Sequence, residues 1–378
     1  MEAMTEDKAL TAEDEGRLDD FYRAMEVESS RSLGYPSNAV FDYSDLYRFL
    51  HFPLNNIGDP FVESTFRVHS RSFERDVLRF FAKMYHAPED DYWGYVTSGG
   101  TEGNMYGLYL ARELLPEGIV YYSEETHYSV SKVLRVLALR NIMIKTLANG
   151  EIDYEDLRET VRIHRDVPPI ILANIGTTMK GAVDNVDTIQ EILRDFALPN
   201  FYIHCDAALS GMILPFVKDP EPYDFAAGID SISVSGHKMI GSPMPCGVVL
   251  AKKKNVDRIA RSVEYVGTLD TTISGSRNGL SPLFLWSAIR KLGPSGFRKM
   301  VVGCLKMADY AIDRLREKDI DAWRNNNSVT VVFPRPATPV LEKWQIAVFR
   351  DIGHMITMPH VTRDLVDELV GDIAGTEP

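Results

Sequence analysis

The chain of 378 residues is long enough for one large domain with a smaller one, or for two closely packed domains. Its composition is that of a soluble globular protein, with 45% hydrophobic and 25% charged residues. The formal net charge is −13 and no basic block stands out, which argues against nucleic-acid binding. No apolar run reaches the roughly 18 residues of a membrane span, which argues against a membrane protein.

The N-terminus and the cysteines predict the compartment. The segment MEAMTEDKALTAEDEGRLDD is acidic and polar, and it lacks the basic and apolar regions of a secretory signal. The three cysteines, Cys205, Cys246 and Cys304, are odd in number, and none belongs to a CxxC pair. We therefore expect a cytoplasmic protein without a disulfide framework or a zinc site.

The first part of the chain is predicted to form a helix followed by an irregular segment. LTAEDEGRLDDFYRAMEVESS has apolar residues at helical spacing after a candidate threonine N-cap. From about residue 73, apolar strands alternate with amphipathic helices, the strands including YWGYVT, GIVYYS, PPIILANIG and NFYIHCDAA. This alternation predicts βαβ units and a mostly parallel sheet.

The regular alternation of strands and helices ends after about residue 280. Two helical patterns, 281–292 and 296–318, lead into further strands and a terminal helix over 362–374, which predicts a smaller α+β domain. We therefore expect an N-terminal segment over 1–60, a large α/β domain over 61–279 and a small C-terminal domain over 280–378.

A glycine-rich turn follows the first strand of the alternating region. In TSGGTEGN, Gly99 and Gly100 would let the backbone approach a ligand, and Ser98 and Thr101 add hydroxyl groups. The helix predicted to follow offers unpaired N–H groups to an anion. A plain tight turn explains this stretch equally well when it is considered alone.

Two further strand ends carry ionisable side chains. Asp206 in HCDAA ends an apolar strand, where a carboxylate is costly to bury unless it meets a cation or a donor; a helix N-cap is the simpler interpretation. Ala208 leaves room there for a flat group. His127 in EETHYSVSK could stack on a planar ring or simply cap a helix. Ligands of open α/β sheets bind at the carboxyl ends of strands, where both residues lie.

The last motif is an isolated lysine. Lys238 stands in SISVSGHKMIGSPMPCG, among small residues, a histidine and two prolines. A surface lysine in a turn is the simpler interpretation. A lysine shielded from water, however, has a lowered pKa and becomes a nucleophilic amine suited to a Schiff base.

Together these motifs indicate pyridoxal 5′-phosphate (PLP) as the cofactor. The glycine and hydroxyl turn could bind the phosphate, with Ser235 and His237 beside it. Asp206 could meet the ring nitrogen, His127 the ring face, and Lys238 the aldehyde. Along the chain the glycine-rich turn comes first, followed by His127, Asp206 and Lys238, and the combination is far more specific than any one of these motifs.

Longer stretches carry a family resemblance. They run in order from about residue 33 to the C-terminus and include DYWGYVTSGGTEGNMYG, THYSVSK, GEIDYEDL, NIGTTMKGAVD, HCDAALSGMILPFV, SVSGHKMIGSPMPCG and SGSRNG. The chain resembles the group II PLP-dependent amino-acid decarboxylases, in the branch of bacterial histidine decarboxylases and plant-type serine decarboxylases. The resemblance implies fold type I and a homodimer with active sites at the dimer interface.

The resemblance also implies roles for single residues. Thr177 in NIGTT lies where the family places a residue near the cofactor ring, although a strand-terminal turn is an alternative. Ser274 belongs to a region that helps form the partner subunit's cofactor site. Tyr265 and His127 are the candidate donors of a proton to Cα after CO₂ leaves. For His204 we favour a structural role.

The expected reaction is the decarboxylation of an L-amino acid to its amine and CO₂. Histidine and serine are the first candidate substrates; aliphatic amino acids (valine, leucine, methionine) are alternatives. The residues Asn55, Asn56, Asp59 and His69 could border the side-chain pocket or cap loops. An aminotransferase, a C–C lyase and a scaffold without activity are the competing hypotheses.

Overall fold

The structure is a computed structural model that describes residues 10–259, 261–263 and 268–376. The described strands are β1 (Tyr92–Thr97), β2 (Ile119–Ser123), β3 (Arg140–Ile144), β4 (Pro169–Asn174), β5 (Tyr202–Asp206), β6 (Ser231–Ser235), β7 (Gly247–Lys252), β8 (Arg261–Val263), β9 (Thr268–Asp270), β10 (Thr330–Pro334), β11 (Ala347–Phe349) and β12 (Ile352–Ile356). The described α-helices are α1 (Ala12–Ser30), α2 (Arg71–Met84), α3 (Gly100–Leu114), α4 (Ser129–Val136), α5 (Tyr154–Ile163), α6 (Val186–Asp195), α7 (Lys253–Asp257), α8 (Leu280–Arg316), α9 (Thr338–Trp344) and α10 (Arg363–Gly375).

The central sheet has seven strands in the order β1-β7-β6-β5-β4-β2-β3. The five strands β2 to β6 pair in parallel, whereas β7 pairs antiparallel with both β6 and β1. The mostly parallel sheet predicted from the sequence is therefore confirmed. Asp206 is in register with Asn174 on one neighbour and with Ser233 on the other, so the carboxyl ends of β4, β5 and β6 meet at one edge.

Helices cover both faces of this sheet. Every residue of β4, β5 and β6 is buried, as expected for parallel strands with helices on each side. One face packs against α3, which contacts β5, β6 and β7. Helix α2 contacts β1 and β7 and also packs against α8. These contacts bury the central strands, including the end of β5 that carries Asp206.

Helix α1 forms as the sequence predicts, yet it adds nothing to the core. Thr11 caps it, accepting a hydrogen bond from the backbone N–H of Asp14, whose carboxylate accepts one from the N–H of Thr11 in return. No residue of the helix is buried in this chain. Its apolar side chains therefore remain in contact with solvent.

The two helices predicted after residue 280 form one helical run with a break. At Gly293 the backbone has φ 60° and ψ 178°, and Pro294 follows. Proline disfavours the α conformation in the residue before it, so the run changes direction there.

Within the described chain, no helix is long and apolar enough to cross a membrane.

A second sheet, ordered β10-β12-β11 and antiparallel, lies in the C-terminal part of the chain. The N-terminal segment runs along it, because the N–H of Ile356 donates to the Leu33 carbonyl at 2.7 Å. Gly34 fits tightly here, since a Cβ at this position would lie 2.2 Å from the Gln345 carbonyl oxygen. The boundaries at 60/61 and 279/280 stay predictions.

Candidate active site

A cavity of about 480 Å³ opens at the carboxyl edge of β4, β5 and β6. Most of the residues predicted to form the site line it: Gly100, Thr101, His127, Thr177, Asp206, Ala208, Ser235, His237 and Lys238. Widely separated parts of the sequence therefore meet in one place. The topology explains this, because each residue ends or follows a strand of the central sheet or begins the helix after it.

One end of the cavity is suited to an anion. Gly100 and Thr101 begin α3, and the first N–H groups of a helix have no acceptor inside the helix. Ser235 lies against this turn, since a Cβ on Gly100 would be 2.9 Å from the Ser235 Oγ. These N–H groups and two nearby hydroxyls could hold a phosphate.

Two serines predicted to contact the cofactor form hydrogen bonds to Glu102 instead. The Ser98 hydroxyl donates to Glu102 at 2.6 Å, and the Ser274 hydroxyl donates to the other oxygen of the same carboxylate at 3.2 Å. Neither these two serines nor Gly99 lines the cavity of the described chain. Glu102 therefore orders the turn, and the cofactor contacts of Ser98, Gly99 and Ser274 stay predictions.

The Lys238 side chain is partly buried. Within the described chain no atom accepts a hydrogen bond from its Nζ, although it lines the cavity. Burial lowers the pKa of the Lys238 ammonium below that of an ordinary lysine, and the negative charge of Asp206 acts in the opposite direction. The lysine is therefore more nucleophilic than a solvated one.

Asp206 is held in place by two donors. Its Oδ2 accepts from Asn104 Nδ2 at 2.6 Å, and its Oδ1 accepts from the backbone N–H of Ala208 at 3.2 Å. The side chain is 7% exposed, so the carboxylate is fixed at the cavity wall. It could stabilise a positive charge on a bound ring nitrogen.

His127 lies half-buried beside the same cavity. Its Nδ1 accepts from the backbone N–H of Ser129 at 3.3 Å and lies 2.8 Å from the Ser129 hydroxyl, so the neutral ring carries its proton on Nε2. Burial is the main reason that the His127 pKa is lowered; Lys238 and Lys132 lower it further, while Asp206 opposes them.

Two more predicted residues complete the lining. Thr177 Oγ1 accepts from the N–H of Ala182 at 3.0 Å, which fixes the loop after β4. His237 Nδ1 lies 3.0 Å from the Cys246 carbonyl and 3.3 Å from the Cys246 nitrogen. Burial lowers the His237 pKa. Both residues thus have defined orientations.

Some predictions fall outside this cavity. Tyr265 lies outside the described residues, so its place in the site stays a prediction. The candidate pocket residues are not among the cavity lining within the described chain. Asn56 instead donates to Glu74 at 2.7 Å, and Glu74 also pairs with the buried Arg277. Asp59 accepts from the indole N–H of Trp93 at 2.8 Å.

The structure also adds residues that the sequence did not point to. Asn104 lies in the quoted motif TSGGTEGN, but nothing in the sequence showed that it would reach Asp206. The far wall comes from distant segments, Gly34 to Ser37 and four residues of the second sheet: Thr330, Ala347, His354 and Ile356. Such contacts depend on tertiary packing and leave no local signal.

Comparison with known proteins places the chain in a family. The model of the pyridoxal-dependent decarboxylase conserved domain matches residues 56–335. The chain belongs to the pyridoxal-dependent decarboxylase family. It is a PLP-dependent amino-acid decarboxylase, and both the cofactor and the enzyme class predicted from the sequence are confirmed.

The chain is also similar to individual amino-acid decarboxylases, as expected for a member of this family. A histidine decarboxylase of Pseudomonas entomophila is 48% identical over 367 residues, covering 96% of this chain and 91% of the relative. One from Vibrio campbellii is 49% identical over 372 residues, covering 97% and 96%. The crystal structure of L-methionine decarboxylase from Streptomyces sp. 590 is 27% identical with a TM-score of 0.87, covering 98% and 97%. A fold of this type was expected from the sequence and is confirmed.

The residues of the pyridoxal-dependent decarboxylase site fit the cofactor. A partly buried amine without a hydrogen-bond partner in the described chain, a fixed carboxylate and a helix N-terminus border one cavity, and PLP has an aldehyde, a ring nitrogen and a phosphate to match. Cys205, Cys246 and Cys304 are unpaired and buried in the hydrophobic core. The cytoplasmic location stays a prediction.

Replacing Lys238 by methionine should stabilise the protein in the absence of cofactor. The partly buried ammonium has a lowered pKa, so folding is opposed while the lysine is charged and the opposition fades as pH rises toward 10.5. We expect Lys238→Met to raise the melting temperature at pH 7 and to raise it less at pH 9.

Thermal unfolding of the cofactor-free protein at several pH values measures this difference. Lys254→Met, at an exposed position, is the control and should change the melting temperature little. A Lys238→Met protein that is less stable than the wild type at pH 7 would show that the buried charge is not a cost.

Proposed function

We propose that this decarboxylase binds PLP through Lys238 and converts L-histidine to histamine and CO₂. The observation that carries the proposal is the partly buried Lys238 amine, which has no hydrogen-bond partner in the described chain, in a cavity that also contains the Asp206 carboxylate and the His127 ring. The choice of histidine rests on 48–50% identity, over nearly the whole chain, to bacterial histidine decarboxylases.

Lys238 and Asp206 have complementary tasks in this proposal. Bound PLP supplies the electron sink for the bond that breaks. The Lys238 amine would be the covalent attachment point of the cofactor, and its lowered pKa favours the nucleophilic form. Asp206 holds a proton on the ring nitrogen, because a carboxylate and a positive nitrogen stabilise each other at short range.

His127 would pack on the face of the cofactor's ring and orient that ring. The Nδ1 atom of His127 is hydrogen-bonded to Ser129, so the imidazole ring cannot turn freely and its Nε2 proton points away from that contact. It is also our candidate donor of the proton that replaces the carboxylate, with Tyr265 as the alternative. Gly100, Thr101 and Ser235 hold the phosphate at the other end.

The substrate side chain occupies the part of the cavity bordered by the N-terminal segment and the second sheet. Thr330 and Ser37 offer hydroxyl groups there, while Ala347 and Ile356 are apolar. An imidazole combines apolar faces with two ring nitrogens, which suits such a mixed wall. Asn55, Asn56, Asp59 and His69 do not border this wall in the described chain.

A substrate comparison tests the proposed reaction. The purified, PLP-loaded protein is supplied separately with histidine, serine, methionine, valine and leucine, while CO₂, amine and keto acid are measured. We expect histamine and CO₂ in equal amounts, with kcat/KM for histidine at least about tenfold above the others, since each 1.4 kcal/mol of discrimination is tenfold.

Ethanolamine or an aliphatic amine as the main product would overturn the choice of histidine and leave decarboxylation intact. Keto acid without CO₂ would contradict the decarboxylase itself. Lys238→Met, which keeps the fold but lacks the amine, controls for contaminating activity and should release no CO₂.

We also propose that two copies of the chain form a homodimer through the N-terminal segment. Most exposed large hydrophobic side chains in the described chain fall between residues 10 and 68. Four of them, Leu18, Phe21, Tyr22 and Met25, follow one face of α1 at helical spacing and are 43–65% exposed. An apolar stripe of this kind suits burial against a second copy.

Sedimentation velocity tests the dimer. The wild-type protein should have twice the mass of one chain, and Phe21→Ser combined with Tyr22→Ser should shift it toward the monomer. Val136→Ser, at a position that is 74% exposed outside this segment, is the matched control and should stay dimeric. A wild-type monomer at micromolar concentration would contradict the proposal.

A further inference from the structure

A continuous chain of hydrogen bonds lies behind Asp206, beneath helix α3. The Tyr202 hydroxyl donates to Ser231 Oγ at 2.9 Å, and Ser231 Oγ lies 2.7 Å from His204 Nδ1. His204 Nε2 lies 3.0 Å from Asn104 Oδ1, and Asn104 Nδ2 donates to Asp206 Oδ2 at 2.6 Å. All five residues are buried, so water does not compete for these bonds.

The donors in this chain have one consistent direction. Ser231 Oγ accepts from Tyr202, so its single proton points to His204 Nδ1. The neutral His204 ring then carries its proton on Nε2 and donates to Asn104 Oδ1. Burial lowers the His204 pKa to about 4, so the ring is neutral near pH 7. The amide of Asn104 must therefore turn its NH₂ group toward Asp206.

Helix α3 is shaped to admit this arrangement. A Cβ on Gly107 would lie 2.2 Å from His204 Nδ1, and a Cβ on Gly103 would lie 2.6 Å from the Ser233 Cβ. These two glycines flank Asn104 on the helix. The Ser233 hydroxyl also donates to Asn104 Oδ1, so that oxygen has two donors and cannot exchange places with the NH₂ group at low cost.

We propose that His204 is a positioning residue that acts through Asn104 on Asp206, and through Asp206 on the binding and activity of the cofactor. This inference rests on the proposed contact between Asp206 and the ring nitrogen. Without the His204 proton, Asn104 loses a donor that fixes its amide, and an amide oxygen turned toward Asp206 would repel the carboxylate. The carboxylate would then no longer be aimed at the ring.

Three replacements of His204 separate its chemistry from its volume. His204→Gln can keep an N–H near the Nε2 position, which donates to Asn104. His204→Asn places its amide near the Nδ1 position and cannot reach Asn104, whereas His204→Phe fills the space without any donor. We expect His204→Phe and His204→Asn to weaken PLP binding and lower kcat by about 10–100-fold with little change in KM, and His204→Gln to recover most of both.

The affinity for PLP is measured without amino acid, by titrating the cofactor-free protein and following the visible absorbance of the bound cofactor. This readout does not depend on which substrate the enzyme uses. A protein that fails to decarboxylate histidine but shows the expected order of PLP affinities would refute the substrate proposal and keep this inference. Normal histamine production without the expected order of PLP affinities would refute this inference and keep the substrate proposal.

A matched pair of glycine variants provides a second test should His204→Phe not fold. Gly107→Ala displaces the His204 ring without changing its chemistry, whereas Gly303→Ala, at an exposed position of α8, meets nothing within 4 Å. Alanine is the better helix former, so Gly303→Ala should raise the melting temperature slightly. We expect Gly107→Ala to weaken PLP binding and Gly303→Ala to leave it unchanged.

Two results would overturn the inference. One is a His204→Phe protein with wild-type PLP affinity and kcat. The other is a His204→Gln protein as impaired as His204→Phe at equal thermal stability, because the N–H toward Asn104 would then be irrelevant. If Gly107→Ala leaves PLP affinity at the wild-type value, the position of the ring does not matter and the inference fails as well.

Discussion

The site depends on one electrostatic constraint: a lysine amine and an aspartate carboxylate are both withdrawn from water at the same sheet edge. Burial lowers the Lys238 pKa while the Asp206 charge opposes that shift, so the two groups are coupled through the cavity between them. A folded protein tolerates such unpaired charge when function requires it. In a pyridoxal-dependent decarboxylase, the cofactor is the group that both side chains can engage.

The parallel sheet makes this constraint possible. Because β4, β5 and β6 run in the same direction, Asn174, Asp206 and Ser235 end side by side, and the N-terminus of α3 reaches the same edge. Asp206 is then fixed by α3 as well as by the backbone that follows its own strand, since Asn104 and the N–H of Ala208 both donate to it. The carboxyl edge of the sheet and helix α3 therefore pack together as one unit.

Much of this could be predicted from the sequence. Alternating strands and helices indicated the sheet, and Asp206, His127 and Lys238 each follow a strand, so topology alone brings them together. The Ser98 and Ser274 contacts with Glu102 could not be predicted, because they depend on which carboxylate packs nearby. The same holds for His204: the sequence favoured a structural role, and its link to Asp206 through Asn104 became visible only in three dimensions.

Mapping the cofactor's attachment point tests the role of Lys238 most directly. The PLP-loaded protein is reduced with borohydride and digested, and the peptide that carries the phosphopyridoxyl group is identified by mass spectrometry. We predict a single labelled peptide with the modification on Lys238, and no specific label in Lys238→Met. Stoichiometric modification of a different lysine in the wild-type protein would contradict the assignment and, with it, the arrangement of the site.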